Sequence, residues 1–522
     1  MLKKLHGRKL AVCLIGGAMY ALFSAFGWQA EHGGVIWAGG ALLVAALLVW
    51  PIAALLAVLL ERGYTRTLRR EKTFRAGRAF AFILACYVPM FCVAFPGSFA
   101  YDVPYQLRQV VTGAYSTHHP LLHTLALGGL LQLGRALGDI NLGAALYTAL
   151  QMALLAGCFA LTCGSIARQS GARAAKRAAV FFALYPLNMV MAVNATKDVL
   201  FGGFFALTLA LLNEIREKPS RGLALKIAAC GALAVMLRNN MAYAALVWLA
   251  ILTLGLRKAE KSAALAMLLA LAVGLCGNAA LKHATRAESG DMSEMLSWPI
   301  QQLARARLYD EERLTDAEKE AIDELMPGEA WTCYDPTISD PVKFEFDTQA
   351  FRADVKKYVG VWLSVGKKCA GTYLDATMAL TYPFFYPYRE YRVSGYYVQM
   401  GMSDAYDAGW CDFDPPESRS LFPRALTSLS WRFGAKGAMQ IPVVGWLFNM
   451  GVIVWTMLFF ALREMYWGRW QRFGTALLPV LLWGTFLLGP VMAGRYIYPF
   501  VCALPVLAAR PGRSVKEAAR HG

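Results

Sequence analysis

Charge is the scarcest commodity in this chain. Asp, Glu, Lys and Arg make up 17% of its 522 residues, where soluble globular proteins carry about 25%. Acidic residues are rarest outside 282–439, with 11 against 34 Lys and Arg, whereas 282–439 holds 24 acidic and 18 basic residues. So few charges exclude an ordinary soluble domain. No HExxH pattern and no CxxC pair occurs, so no motif announces a metal site. No internal repeat is present, and inverted repeats are the usual mark of secondary transporters. The net charge of +17 comes without a nucleic-acid-reading motif, and its excess cations sit in short loops such as Arg62, Arg66, Arg69, Arg70, Lys72, Arg75 and Arg78. Short basic loops mark the cytoplasmic side of a membrane protein rather than a nucleic-acid surface.

What the chain has is apolar sequence: 57% hydrophobic residues and a mean hydropathy of +0.40. The expected class is an all-α polytopic membrane protein. The first apolar run follows MLKKLHGRK without a small-residue cleavage site, so it reads as a retained span. Spans are expected near 11–28, 35–60, 79–96, 141–165, 177–193, 199–214, 223–237, 241–256, 262–281, 440–462, 474–489 and 496–510, twelve in all. Segment 121–136 is apolar but short. Reading it as an interfacial or re-entrant helix started by Pro120 keeps both basic loops, 62–78 and 168–177, on the cytoplasmic side.

This threading divides the chain into a transmembrane module 1–281, an extracytoplasmic insert 282–439 and C-terminal helices with a tail, 440–522. Both termini are expected in the cytoplasm. The insert opens with helical stretches (SEMLSWPIQQLARARL, TDAEKEAIDELM, DVKKYVGVWLSVGKKCAGTYLDATMAL) and then turns aromatic in TYPFFYPYREYRVSGYY. Clustered aromatics suit a membrane interface or stacking on a sugar face. Of eleven cysteines, Cys333, Cys369 and Cys411 fall in the insert. In an oxidising compartment two of these would be able to pair and one would be left over.

The same threading brings scattered polar residues to one outer face. Loop 97–119 carries Asp102, Gln106, His118 and His119, with His123 just beyond. A carboxylate at membrane depth costs roughly 2.5–3.5 kcal/mol and tends to be retained for function. Asp102 precedes Val103-Pro104-Tyr105, which suits a helix N-cap, and the two roles are compatible. With Arg108 as its one evident basic neighbour, Asp102 is a candidate general base. Lys197 and Asp198 open a helix in NATKDVLFGG: Asp198 as cap and Lys197 snorkelling is one reading, Lys197 on a phosphate with Asp198 orienting it is the other. Arg238 and Asn239 in MLRNNMAY, and Arg495 and Tyr496 in AGRYIYP, sit at further outer helix ends. Lys197, Arg238 and Arg495 are the candidate phosphate ligands. The histidines serve better as hydrogen-bond partners of substrate or Asp102 than as ligands of a divalent metal, which stays an open, weaker alternative. Gln301 and Gln302 either point into the site or belong to a plain amphipathic helix.

These pieces, in this order, resemble the GT-C superfamily of integral-membrane glycosyltransferases, which includes protein O-mannosyltransferases and lipid A aminoarabinose transferases. The matching elements are the loop Asp in YDVPYQ, the HP-initiated helix in STHHPLLHTL, KD in ATKDVLFG and RY in AGRYIYP. The pattern is most similar to a bacterial branch with D…Q…YSTHHP, TKD, LRNN, PIQQLAR and GRY. The resemblance covers nearly the whole chain. It implies a polyprenyl-phosphate-linked sugar as donor, used outside the cytoplasmic membrane, with Asp102 as base and the basic residues holding the lipid phosphate. The chain departs from the family in lacking the mannosyltransferases' Asp-Glu pair and in placing its soluble part before the last three spans, so the acceptor (a glycan, lipid or protein) is not carried over. The expected activity is an inverting glycosyl transfer. The rival classes are a polymerase or ligase using a lipid-diphosphate donor, a transporter or flippase that needs no base, and a non-catalytic scaffold.

Overall fold

The computed structural model describes residues 5–32, 39–61, 74–254, 258–387, 398–402, 415–434, 441 and 443–510. Among these the chain is all-helical, with isolated β-bridges and no strand. The N-terminal part runs α1 (Arg8–His32), α2 (Gly39–Glu61), α3 (Ala76–Ala94), α4 (Val103–Thr112), α5 (Leu121–Ala136), α6 (Ile140–Ser170), α7 (Ala172–Leu184), α8 (Pro186–Ala192), α9 (Lys197–Glu217), α10 (Arg221–Leu237), α11 (Asn239–Leu254) and α12 (Lys258–Thr285). The rest comprises α13 (Ser297–Tyr309), α14 (Asp316–Leu325), α15 (Asp340–Phe344), α16 (Thr348–Ala353), α17 (Val355–Lys368), α18 (Ala370–Thr381), α19 (Pro423–Gly434), α20 (Met450–Tyr466), α21 (Trp470–Leu487) and α22 (Tyr498–Ala508).

Six helices, α1, α2, α3, α6, α9 and α12, are long and apolar enough to cross a membrane, which fits a multi-pass membrane protein. The other six segments read as spans form shorter or less apolar helices. The stretch read as 177–193 is broken, because Tyr185 is extended ahead of Pro186 and α8 starts afresh there; a residue before proline is driven out of the helical region. The span expected from 440 begins as helix only at Met450.

α9 is the central element. Its apolar window is 89% buried, and it packs against α6, α10 and α22. By contrast α2 presents Leu43, Val44, Leu47, Trp50 and Leu55 outward, an apolar surface that water would not tolerate. α9 spans ~30 Å at 1.5 Å per residue. Between Val199 and Leu212 it is apolar apart from Thr208, and its charges sit at the two ends.

α4, α5 and α6 approach closely through small residues. A Cβ on Gly128 would lie 2.3 Å from Val110, and one on Gly143 would lie 2.2 Å from the Leu130 carbonyl. This contact seats α5 and, through it, α4. The insert has its own apolar core, built from Ile300, Leu303, Ile322, Leu325, Val342 and Val365. Its helix α14 starts on a reciprocal Thr315–Glu318 capping box. The aromatic stretch differs from expectation. Tyr382, Phe384, Phe385 and Tyr386 are buried in the main core instead of forming an interfacial belt: Phe385 lies 4.8 Å from the Phe23 ring and its carbonyl accepts from Trp455 Nε1 at 2.7 Å. Residues 388–397 lie outside the described set, as do Cys411, Arg62, Arg66, Arg69, Arg70 and Lys72. Cys333 and Cys369 are both free thiols, the first exposed and the second buried, so the expected pairing is not made between them.

Gly143→Val is expected to lower stability by about 1–3 kcal/mol, the usual cost of overpacking. Thermal unfolding in detergent measures it, and an unchanged transition would mean that α5 does not bear on α6 at that point.

Candidate functional site

The loop between α3 and α4 is clipped to the turn between α8 and α9. Ser98 N donates to Val193 O at 2.8 Å and Ala195 N to Ser98 O at 2.8 Å. A second clip, Phe99 N to Gly401 O at 2.9 Å, ties the loop to residues 399–402. The backbone then bends sharply at Tyr101, whose φ of 55° is left-handed. A non-glycine residue there costs about 1–2 kcal/mol and persists where the surroundings over-determine it. Tyr101 is held by its hydroxyl, which accepts from Gln399 N, and by Arg495, whose guanidinium lies 4.7 Å from the ring centroid. The bend delivers Asp102.

Asp102 occupies the N-cap position of α4 but its side chain caps nothing. The carboxylate instead accepts from Lys197 Nζ at 2.9 Å and from Arg495 at 3.1 and 3.2 Å, a two-pronged guanidinium fork. These are the cations on Asp102; Arg108, the neighbour expected from sequence, is exposed. His119 is buried with Nδ1 3.7 Å from the carboxylate and 3.5 Å from Lys197 Nζ.

Asp198 is completely buried. It neither caps α9, which Thr196 precedes, nor orients Lys197. It forms a close ion pair with Arg238 and lies 3.8 Å from Arg495 Nε. Arg238 is walled by Phe486 and Tyr496, at 4.4 and 4.5 Å to the ring centroids, and Arg495 also lies over Tyr496 at 5.3 Å. Asp102, Asp198, Lys197, Arg238 and Arg495 therefore form one connected cluster of three cations and two carboxylates, one positive charge over. The Nε groups of Arg238 and Arg495 are buried with no hydrogen-bond partner among the described residues, and such donors are costly to leave unfilled.

Other expected residues are placed differently. His118 is partly exposed, 4.0 Å from Glu294 of the insert. Asn239 is exposed beside Arg238. Gln106 is turned inward, its amide 3.0 Å from His123 Nδ1 and 2.9 Å from Thr124 Oγ1. Gln301 and Gln302 do not reach the cluster through any bond: Gln301 donates to the Asp335 and Ile338 carbonyls, and Gln302 bonds Thr377 and Trp362. An amide buried against its own insert's carbonyls is a local brace. Tyr101 went unnoticed in the sequence, because nothing in its neighbours signals a left-handed residue. Among the described residues no group of three or more His, Cys, Asp or Glu is disposed to hold a metal ion.

Burial alone would raise the Asp102 carboxyl, but Arg495 and Lys197 outweigh it and hold the group well below the usual carboxylate range. Arg495 is held above its ordinary value, burial being overcome mainly by Asp102. Burial drives His119 down to about 3, with Asp102 opposing and Lys197 adding to the fall. The cluster's imidazole is thus neutral at physiological pH.

A pH dependence follows with a defined sign. An unfolded His119 takes a proton near 6.5 and the folded one only near 3, so between those values the unfolded chain binds more protons and stability falls as the pH is lowered. The depressed Asp102 contributes stability that is complete above the ordinary carboxyl value of 3.8 and lost as the pH falls below it, a separate window. His119→Gln is expected to flatten the loss of melting temperature between pH 6.5 and 4.5. An unaltered slope in that variant would mean that His119 is not held neutral here.

A family model matches residues 111–521. It includes His118, His119, Lys197, Arg238 and Arg495 and begins just after Asp102. No curated protein and no solved structure matches the chain. Since the match spans well over half of its length, the chain belongs to the DUF6020 family, a family of unknown function.

Proposed function

We propose that this protein is a membrane glycosyltransferase that moves a sugar from a polyprenyl-phosphate donor to an acceptor hydroxyl in the cell envelope, with the GT-C-like, twelve-span arrangement and outward-facing site expected from its sequence. The observation that supports this most is the charge of the cluster, in which Asp198 and Arg238 are buried and Asp102, Lys197 and Arg495 are mostly enclosed: Lys197, Arg238 and Arg495 against Asp102 and Asp198. A buried site tolerates little net charge. A phosphodiester brings one negative charge and neutralises the surplus. A lipid diphosphate would bring at least two, which speaks against the polymerase reading.

The reaction keeps that balance. The acceptor oxygen bonds to the anomeric carbon as the bond from that carbon to the phosphate oxygen breaks, inverting the centre. The acceptor proton passes to Asp102, which becomes neutral, and the departing lipid phosphate gains one negative charge. The total is unchanged, and the charge has moved from the carboxylate to the phosphate beside three fixed cations, where it is stabilised as it develops. At rest Asp102 is a weak base because Lys197 and Arg495 hold it ionised. Donor phosphate oxygens compete for the same two cations and release the carboxylate for proton transfer. The polyprenyl tail lies in the apolar surface between helices, and residues 288–294, which touch 115–118, bring the insert over the acceptor side.

Asp102→Asn tests the reading. Transfer is expected to fall at least about 100-fold, while polyprenyl phosphate binds as tightly as to the wild type or more so, since an internal competitor for the cations is gone. Lys197→Ala should weaken that binding. Transfer retained in Asp102→Asn would remove Asp102 from its role as base, whereas movement of a lipid or solute that tolerates the substitution, with no transfer in the wild type, would favour a transporter and sink the enzymatic proposal. Mass spectrometry of copurified lipids gives an independent reading of the donor class.

A further inference from the structure

The histidine that the site does not use, His123, lies at the centre of a buried chain of hydrogen bonds. The Gln106 amide is 3.0 Å from His123 Nδ1. His123 Nε2 is 2.9 Å from the Tyr147 hydroxyl. Tyr147 donates to Gln151 Oε1 at 3.0 Å. Gln151 Nε2 ends the chain on the carbonyls of Ala192, at 3.0 Å, and Asn194, at 2.8 Å. One arrangement of protons satisfies every link: the Gln106 amide donates to Nδ1, Nε2–H donates to the tyrosine oxygen, and the remaining amide hydrogens go to Thr124 and to the two carbonyls.

The ends of this chain matter. Gln106 is one helical turn beyond Asp102, and its backbone N donates to the Asp102 carbonyl at 3.0 Å. Asn194 lies three residues before Lys197. The chain therefore crosses α4, α5 and α6 to join the two segments whose side chains meet in the 2.9 Å Asp102–Lys197 pair. Stability alone is a poor reason to keep it, since apolar groups of the same shape in place of paired buried ones are often neutral or stabilising. What apolar packing lacks is direction, and a run of hydrogen bonds fixes separation to a few tenths of an ångström.

We infer that Gln106, His123, Tyr147 and Gln151 are positioning residues that hold the Asp102 helix in register with the Lys197 turn. For its kinetic consequence the inference rests on the proposed glycosyl transfer; for the geometry it does not.

The test uses the full-length protein in detergent, with Tyr147→Phe and Gln151→Leu. The first readout is the rate at which an amine-acylating reagent modifies Lys197, followed by peptide mass spectrometry. Both variants should label several-fold faster than the wild type at an unchanged melting temperature, because the ion pair is no longer held closed. The second readout is transfer: kcat falls by about 10–100-fold, as expected of a misplacement of about 1 Å, with the donor KM little altered. Labelling at the wild-type rate in both variants overturns the inference, including when the melting temperature falls, since that pattern marks a purely structural brace. If the wild type transfers no sugar from a polyprenyl-phosphate donor, the functional proposal fails and the labelling alone decides the positioning role.

Discussion

The ion pair between Asp102 and its two cations is the constraint around which this end of the molecule is built. A carboxylate taken out of water must be matched within a few ångströms, and its partners here come from distant parts of the chain: Lys197 from the start of the central helix and Arg495 from the turn before the last one. Three segments must therefore be brought together accurately. The loop 97–101 is clipped by backbone bonds to the 193–195 turn. Tyr101 is forced left-handed to aim the carboxylate. Gly128 and Gly143 let the supporting helices come close enough for the loop to reach. Remove the charge pairing and none of these local costs has a return.

Much of this was legible in the sequence, for a physical reason. Long apolar runs leave few choices but helix, so α1, α2, α3, α6, α9 and α12 fall close to where hydropathy places them. Polar residues stranded at helix ends, such as Lys197, Asp198, Arg238 and Arg495, stand out against that background, and the structure brings them together with Asp102. Pairing was not legible. By its position Asp198 suits a cap or an orienter of Lys197, yet it holds Arg238; Asp102 has only Arg108 as a basic neighbour in sequence. Which cation meets which carboxylate depends on helix rotation and crossing, which a one-dimensional pattern does not encode. Local breaks were equally hidden: Pro186 ends α7 within a continuous apolar run. Gln301 and Gln302 looked available because their acceptors, the carbonyls of 335 and 338 and Thr377, lie tens of residues away. Tyr147 and Gln151, four apart in the stretch 142–161 where Thr148 is the one other polar residue, did carry a signal, since isolated polar residues on the buried face of a helix need partners.

The two ends of α9 make a useful contrast. At its C-terminal end Glu214 pairs with Arg168 at 2.6 Å, Arg216 with Glu260 at 2.8 Å and Glu217 with Arg472 at 3.6 Å, and nearby Arg463 pairs with Glu464 at 2.5 Å. Those pairs match cation to carboxylate one for one. They are what a helix needs to end its apolar stretch among neighbours: charge met by charge, with Ser165 and Thr475 filling some spare positions while Arg216 Nη2 and Glu464 Oε2 stay unfilled among the described residues. The N-terminal end has the same chemistry but a different count, and the difference is the surplus cation.

That surplus has a direct physical consequence. A fully compensated cluster is a clamp, because bringing in an anion would break pairs without offering replacements of equal strength. A cluster with one cation over, and with guanidinium Nε groups unfilled on Arg238 and Arg495, gains an anion's hydrogen bonds and its charge together. The aromatic walls of Tyr101, Phe486 and Tyr496 keep the local dielectric low, which strengthens the attraction. The same walls would punish a second uncompensated charge just as strongly. Under the proposed reading, the preference for a singly charged phosphodiester thus arises from the count of charges in the cluster, and conversion of Asp198 to a neutral residue would shift it toward more highly charged lipids.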